Sequence, residues 1–317
     1  MYLYNKEFII ASHVLVASSM VLVYDALLTI GDEINYVWFQ PWTLGSILFM
    51  INRYLPFIDT SMGLYLQLTE TSPSQCEMYY NGITWLIAIG LMVSELILLL
   101  RTWALWERSR KVLLILGGLS TATFIPGILI THWEIKSLHF GAVPEGGVGC
   151  NLISASKIIM VAYVLIALSE TVVVVLTIIK GQQHRARNSR SSWVKRVYRH
   201  GLIFYFYLLA ITVVNMVVPV AASQPRYKNY LAVPQRVFHS IFCNRVILLI
   251  QRQRSIRTNP PEEATEQHRS ISKPRYTGNA LDTGIETRYS RDLDLDIRYE
   301  VGEDEHEMST YNQDWTR

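Results

Sequence analysis

The 317-residue chain is half hydrophobic, carries a formal net charge of only +3 and has three cysteines. So balanced a charge gives no basis for a nucleic-acid partner. Seven separate apolar stretches of about 17–25 residues exclude a water-soluble globule, because each matches the length a helix needs to cross ~30 Å of hydrocarbon. The expectation is an all-α integral membrane bundle of seven helices over residues 1–257, followed by a disordered tail over 258–317.

The expected spans are Phe8 to Ile30, Thr43 to Ile58, Ile83 to Trp103, Val112 to Thr131, Lys157 to Ile179, Leu202 to Ala222 and Val233 to Ile250. The first reads as an uncleaved signal anchor, since its apolar run is too long for a signal peptide and lacks a small-residue cleavage site. After it, Gly31, Asp32 and Glu33 are expected to end the helix, Trp38 and Trp42 to sit at the interface, and Pro41 to open the second helix. That second stretch is short and carries Asn52 and Arg53, so a re-entrant element is the alternative to a spanning helix. In the fifth stretch, Val172, Val173, Val174 and Val175 would suit a strand in water. In lipid every backbone amide must be satisfied within the segment, so a helix is the consistent reading. Beyond Thr258 the Pro-, Glu-, Ser- and Arg-rich composition cannot bury enough surface to offset ordering entropy. Ser270, Ser272, Ser290 and Ser309 in that tail are either phosphorylation sites or ordinary solvated hydroxyls.

Cations set the orientation. Arg101, Arg108, Arg110 and Lys111, then Lys180 with Arg185 to Arg199, then Arg252, Arg254 and Arg257 all fall on one side of a seven-span layout, against Lys6, Lys136, Arg226 and Lys228 on the other. This puts the N-terminus outside and the tail in the cytosol, although the acidic first connection disagrees. Cys76 and Cys150 then both face the oxidising side, where a bridge would pin the outer end of the third span to the Gly141 to Gly149 loop. Such a layout is similar to that of G-protein-coupled receptors. Cys243, inside the last span, is expected to be a packing residue.

Charges inside a bilayer cost at least ~2.5–3.5 kcal/mol each on insertion scales and therefore face a partner or a water-filled cavity. Five stand out: Asp25, Arg53, Glu95, Glu170 and Arg245. Measured at ~1.5 Å per residue from the expected cytosolic ends, Asp25 and Arg245 lie ~7 Å deep and the other three ~12–15 Å. Depth matching predicts an Asp25–Arg245 pair and an Arg53 pair with Glu95 or Glu170. Either these pairs lock helix order or they line a polar pocket or proton path. His13, Asn215, His239 and Asn244 add further polar groups to the interior.

Tyr24-Asp25, Leu27, Leu28, Thr29, Asp32, Glu33, Trp38, Trp42, Leu48-Phe49 and Asn52-Arg53-Tyr54 together resemble the signature of a fungal family of multi-pass membrane proteins of unknown function. Weaker resemblance extends to Arg101-Thr102-Trp103-Ala104-Leu105-Trp106 and to Asn244-Arg245-Val246-Ile247-Leu248. The chain departs from the family pattern at Gln40-Pro41, where basic residues commonly precede the second Trp. The resemblance implies a membrane location and a seven-helix design; it implies no activity.

Known chemistries are excluded by missing groups. The last span has no Lys for a Schiff base, no His-x-x-x-His or Cys-x-x-Cys occurs, and there is neither a phosphate loop nor a nucleophile elbow. No enzyme activity, cofactor or metal is expected. The Asp-Arg-Tyr and Asn-Pro-x-x-Tyr marks of the commonest receptor class are also missing. What remains is a receptor-like or sensory bundle in the plasma membrane, with residues 180–200 either docking a cytosolic signalling protein or merely enforcing topology. The alternatives are a small-solute transporter using Arg53, Glu95 and Glu170, or a non-catalytic assembly protein.

Overall fold

The computed structural model describes residues 2–143, 148–186, 204–217 and 231–258. Among them are seven α-helices: α1 (Tyr2–Glu33), α2 (Leu44–Leu68), α3 (Pro73–Leu105), α4 (Arg110–Ser137), α5 (Ile159–Ala186), α6 (Phe204–Val217) and α7 (Ala232–Thr258). Four of them, in α1, α3, α4 and α5, are long and apolar enough to cross a membrane. Among the described residues the fold is all-α apart from one short antiparallel hairpin, β1 (His139–Gly141) with β2 (Asn151–Ser154). The expected tail and the cations Arg187 to Arg199 lie outside the described residues.

The bundle inverts the pattern of a soluble protein. Leu27, Leu28, Leu114, Ile125 and Leu168 are more than half exposed on its surface, whereas Asn52, Glu33, Arg236, Gln235 and His239 are wholly buried. Aliphatic side chains outside and hydrogen-bonding groups inside is the arrangement hydrocarbon imposes, since lipid tails give apolar groups no reason to turn inward. An apolar core is nevertheless present, built from Phe49, Leu98, Val173, Leu208, Cys243 and Leu248 on five helices. Cys243 is a free, buried packing residue.

The first connection differs from the sequence reading. The α-helix does end within Gly31–Glu33, at Glu33, but the chain does not turn there: it continues as a π-helical turn over Ile34–Trp38. Pro41 precedes α2 rather than opening it, and Thr43 caps α2 by accepting a hydrogen bond from the Ser46 amide. With 25 residues, α2 is no re-entrant turn. It passes through Pro56, whose ring leaves the carbonyl of Asn52 without its helical donor. The Ser240 hydroxyl of α7 donates to that carbonyl at 2.6 Å, so a neighbouring helix repairs the break.

At the opposite end, α3 begins with Pro73 behind a Ser72–Gln75 capping box. One turn later Cys76 is disulfide-bonded to Cys150, which precedes β2. The hairpin is held further by Phe140 against Tyr80, with ring centroids 4.9 Å apart. Between α3 and α4, Glu107 and Arg108 adopt left-handed backbone angles. Lys180, expected as a free loop cation, instead lies in α5 and donates to Glu107 at 2.6 Å while covering the Trp106 ring.

Candidate functional site

The polar interior divides into three centres. The first joins α1, α2 and α7 around Arg53. Its Nη1 donates to Asp25 Oδ2 at 3.1 Å and its Nε to Glu33 Oε2 at 3.2 Å. Its Nη2 donates to the Ala26 carbonyl and to the Thr29 hydroxyl. The other Glu33 oxygen accepts from Tyr54 at 2.6 Å and from the Trp38 indole at 3.1 Å. Arg245 donates to Asp25 at 2.6 Å, which is the pair that depth matching predicts. Tyr24, the remaining signature residue, is exposed.

Arg53 does not meet Glu95 or Glu170. An α1 ending at Ile30 makes Asp25 too shallow; the helical turns continue to Trp38, which places Asp25 ~19 Å from that end, within reach of the long Arg53 side chain. The guanidinium then serves as a fork for two carboxylates and a hydroxyl, a geometry Lys cannot reproduce. A transporter site combining Arg53, Glu95 and Glu170 is therefore not present.

The second centre ties α2, α3 and α7 together. Asn52 Nδ2 donates to the Ser240 carbonyl and to Asn244 Oδ1, and its Oδ1 accepts from Ser94 at 2.6 Å. Arg236 reaches the same Asn52 oxygen at 3.3 Å and lies 3.7 Å from Asp59, with both charged groups fully buried. Sequence reasoning missed both partners: Asp59 stands one residue past the expected end of the second span, and Arg236, although inside the expected seventh span, is not among the five charges singled out. The continuing apolar pattern after Pro56 was the available signal. Arg236 fits only because Gly90 lacks a side chain, since a Cβ there would overlap the guanidinium. The variant Gly90→Ala is expected to push Arg236 off Asn52 and Ser94 and to cost about 1–3 kcal/mol. Thermal unfolding in detergent should show that loss, and Arg236→Met should reduce the penalty of the alanine.

The third centre assembles Glu95 of α3, Glu170 of α5 and His239 of α7. His239 Nε2 lies 3.1 Å from Glu170 Oε1, and its Nδ1 lies 4.0 Å from Glu95 Oε1. Ser169 donates to Glu95 Oε2 at 2.8 Å, and Thr212 donates to Glu170 Oε1 at 3.1 Å. The Gln235 amide in turn donates to Thr212. His239 had no sequence signal linking it to either acid, because the three residues sit on three different helices.

Glu95 and Asp59 also line a cavity of about 250 Å³ that runs toward the disulfide end. Its walls are mainly aliphatic and aromatic, with Leu15, Ile87, Leu91, Phe124 and Tyr163 among them. Glu134 is its third carboxyl side chain, and no Lys, Arg or His among the described residues contributes to the lining.

A lipid-facing exterior wrapped around paired buried charges defines an integral membrane protein of helical type. Residues 13–58 of the chain match a family of unknown function, DUF6533. The matched segment contains Asp25, Ala26, Thr29, Glu33, Trp38, Arg53 and Tyr54, so of the Arg53 centre Arg245 on α7 alone lies outside it. No curated protein matches the chain.

Proposed function

We propose that the chain is a non-catalytic, receptor-like membrane protein of seven spans that admits a small, largely apolar cation to the cavity at its disulfide end. The cavity carries this reading, because among the described residues its wall combines apolar surface with three buried carboxyls and no cationic side chain. Arg236 lies against Asp59, and Glu95, whose Oε1 makes no hydrogen bond, is the carboxyl a bound positive charge would meet. The distribution of Lys and Arg supports an N-terminus outside the cell, a tail within, and a cavity opening to the exterior. The Cys76–Cys150 bridge is compatible with that side being oxidising. Residues 180–200 would then offer a basic cytosolic surface to a signalling partner, and the plasma membrane is the matching location.

Benzyltrimethylammonium and its neutral isostere neopentylbenzene differ only in charge, and phenylacetate reverses the sign. Added to the full chain in lipid nanodiscs, the ammonium ion is expected to raise the melting temperature more than the other two. Gly127→Leu, which fills the cavity from α4 where no backbone obstructs a side chain, should abolish the difference. Equal shifts from cation and isostere, a stronger effect of phenylacetate, or an undiminished shift in Gly127→Leu would overturn the reading.

A further inference from the structure

We infer that Glu95, Glu170 and His239 form a binding site for a first-row divalent transition-metal ion, Zn2+ or Mn2+ in kind. This inference does not rest on the cationic ligand proposed above. One donor atom from each of the three side chains can be chosen so that all lie within 4.8 Å of one another. Bonds of ~2.0–2.2 Å to nitrogen and oxygen require donors ~3–3.5 Å apart, so closure needs about an ångström of side-chain movement. The 3.1 Å approach of His239 to Glu170 is already within that range.

Charge balance favours a cation there. Two carboxyl groups face one imidazole in a site where all three residues are at least 97% buried. The neighbouring buried cations are engaged elsewhere, Arg53 with Asp25 and Glu33, and Arg236 with Asp59, Asn52 and Ser94. Even a protonated His239 leaves a net negative charge if both acids are ionised, and an uncompensated buried charge is costly. A divalent ion removes that deficit.

The hydrogen bonds around the site are arranged as a supporting shell. Glu95 Oε1, Glu170 Oε2 and both imidazole nitrogens make no hydrogen bond, although each is buried. The opposite carboxylate oxygens are the ones held, Glu95 Oε2 by Ser169 and Glu170 Oε1 by the Thr212–Gln235 chain. Outer hydrogen bonds to carboxylate oxygens are what orient ligands at metal sites; the Glu95 oxygen facing the imidazole is the unbonded Oε1, whereas at Glu170 it is Oε1, the one Thr212 also holds. One imidazole with two carboxylates suits Zn2+ or Mn2+ better than the all-oxygen preference of Mg2+ and Ca2+ or the thiolate preference of Cu+. Glu95 and Ser169 also line the cavity, so an ion entering there meets Glu95 first and can keep water on its remaining positions.

The test uses the full chain, purified without a histidine tag, stripped of metal and titrated with Co2+ as a spectroscopic stand-in for Zn2+. About one equivalent is expected to give visible ligand-field absorption, and zinc-edge X-ray absorption should fit a single imidazole with oxygen donors and no sulfur. Glu170→Gln and His239→Gln should abolish that signal. Thr212→Val should weaken binding about tenfold through the outer shell, and Glu134→Gln, in the cavity but outside the triad, should leave it unchanged. Should the two ligand variants fail to fold, the imidazole count in the native protein together with Thr212→Val decides the matter. Folded native protein that retains no Co2+ or Zn2+, a spectrum with several imidazoles, or undiminished binding by folded Glu170→Gln would overturn the site. The imidazole would then simply bridge two carboxyls through protons.

Discussion

Arg53→Met is expected to abolish most of the folded protein, with a cost of about 3–5 kcal/mol, because it leaves Glu33 buried without a cation. Asp25 would keep Arg245, whereas Glu33 would retain only the neutral donors Tyr54 and Trp38. Arg53→Lys should recover only part of the yield, since one ammonium group cannot occupy four acceptors in a plane. The sharper expectation concerns the second site: Arg53→Met with Glu33→Gln should fold better than Arg53→Met alone, because the orphaned charge is gone. Monodisperse yield from fluorescence-detected size exclusion checks both. A single Arg53→Met variant recovered at the native level would mean that the pair contributes nothing to assembly.

Cys76→Ser with Cys150→Ser is expected to lower stability and to act mainly at the cavity. Seventy-four residues separate the two cysteines, a span for which loop-closure entropy gives about 4 kcal/mol in a freely unfolding chain. Helices held in a bilayer are already confined, so the measured loss should be smaller than that. The bridge joins the start of α3 to the hairpin, and Cys150 itself lines the cavity. Its removal should therefore lower the melting temperature and shrink the benzyltrimethylammonium shift, while the additional loss from Arg53→Met stays the same. Distant, independent sites behave additively, and a strong dependence of one on the other would show that the bundle does not respond as two separate ends.

The three centres of the polar interior were unequally legible in sequence. The Arg53 centre could be partly anticipated because Asp25, Glu33, Arg53 and Tyr54 occur close together along the chain, on adjoining helices joined by a short turn. Even so, depth matching pairs Arg53 with the wrong acids, because an error of two helical turns in the end of α1 changes depth by ~11 Å. Asp59 and Glu134 escaped notice for the same kind of reason, each lying just past an expected helix end that the real helix overruns. The Glu95–Glu170–His239 group was not legible, since residues 75 and 69 apart in the chain carry no spacing rule that links them.

Sequence by itself determined the solvent and the element type: long apolar runs must be helices in hydrocarbon, and charges within them must face inward, because lipid satisfies neither backbone amides nor ionised side chains. It also placed the two cysteines on one face. Only the tertiary structure decided which inward faces meet. Helical periodicity sets which residues share a face, but the rotation and axial shift between helices come from contacts such as Arg236 against Gly90 and Ser240 against the carbonyl freed by Pro56. Those contacts decide that Arg53 turns to α1 and that His239 meets two acids, because they are made between surfaces that no single segment describes.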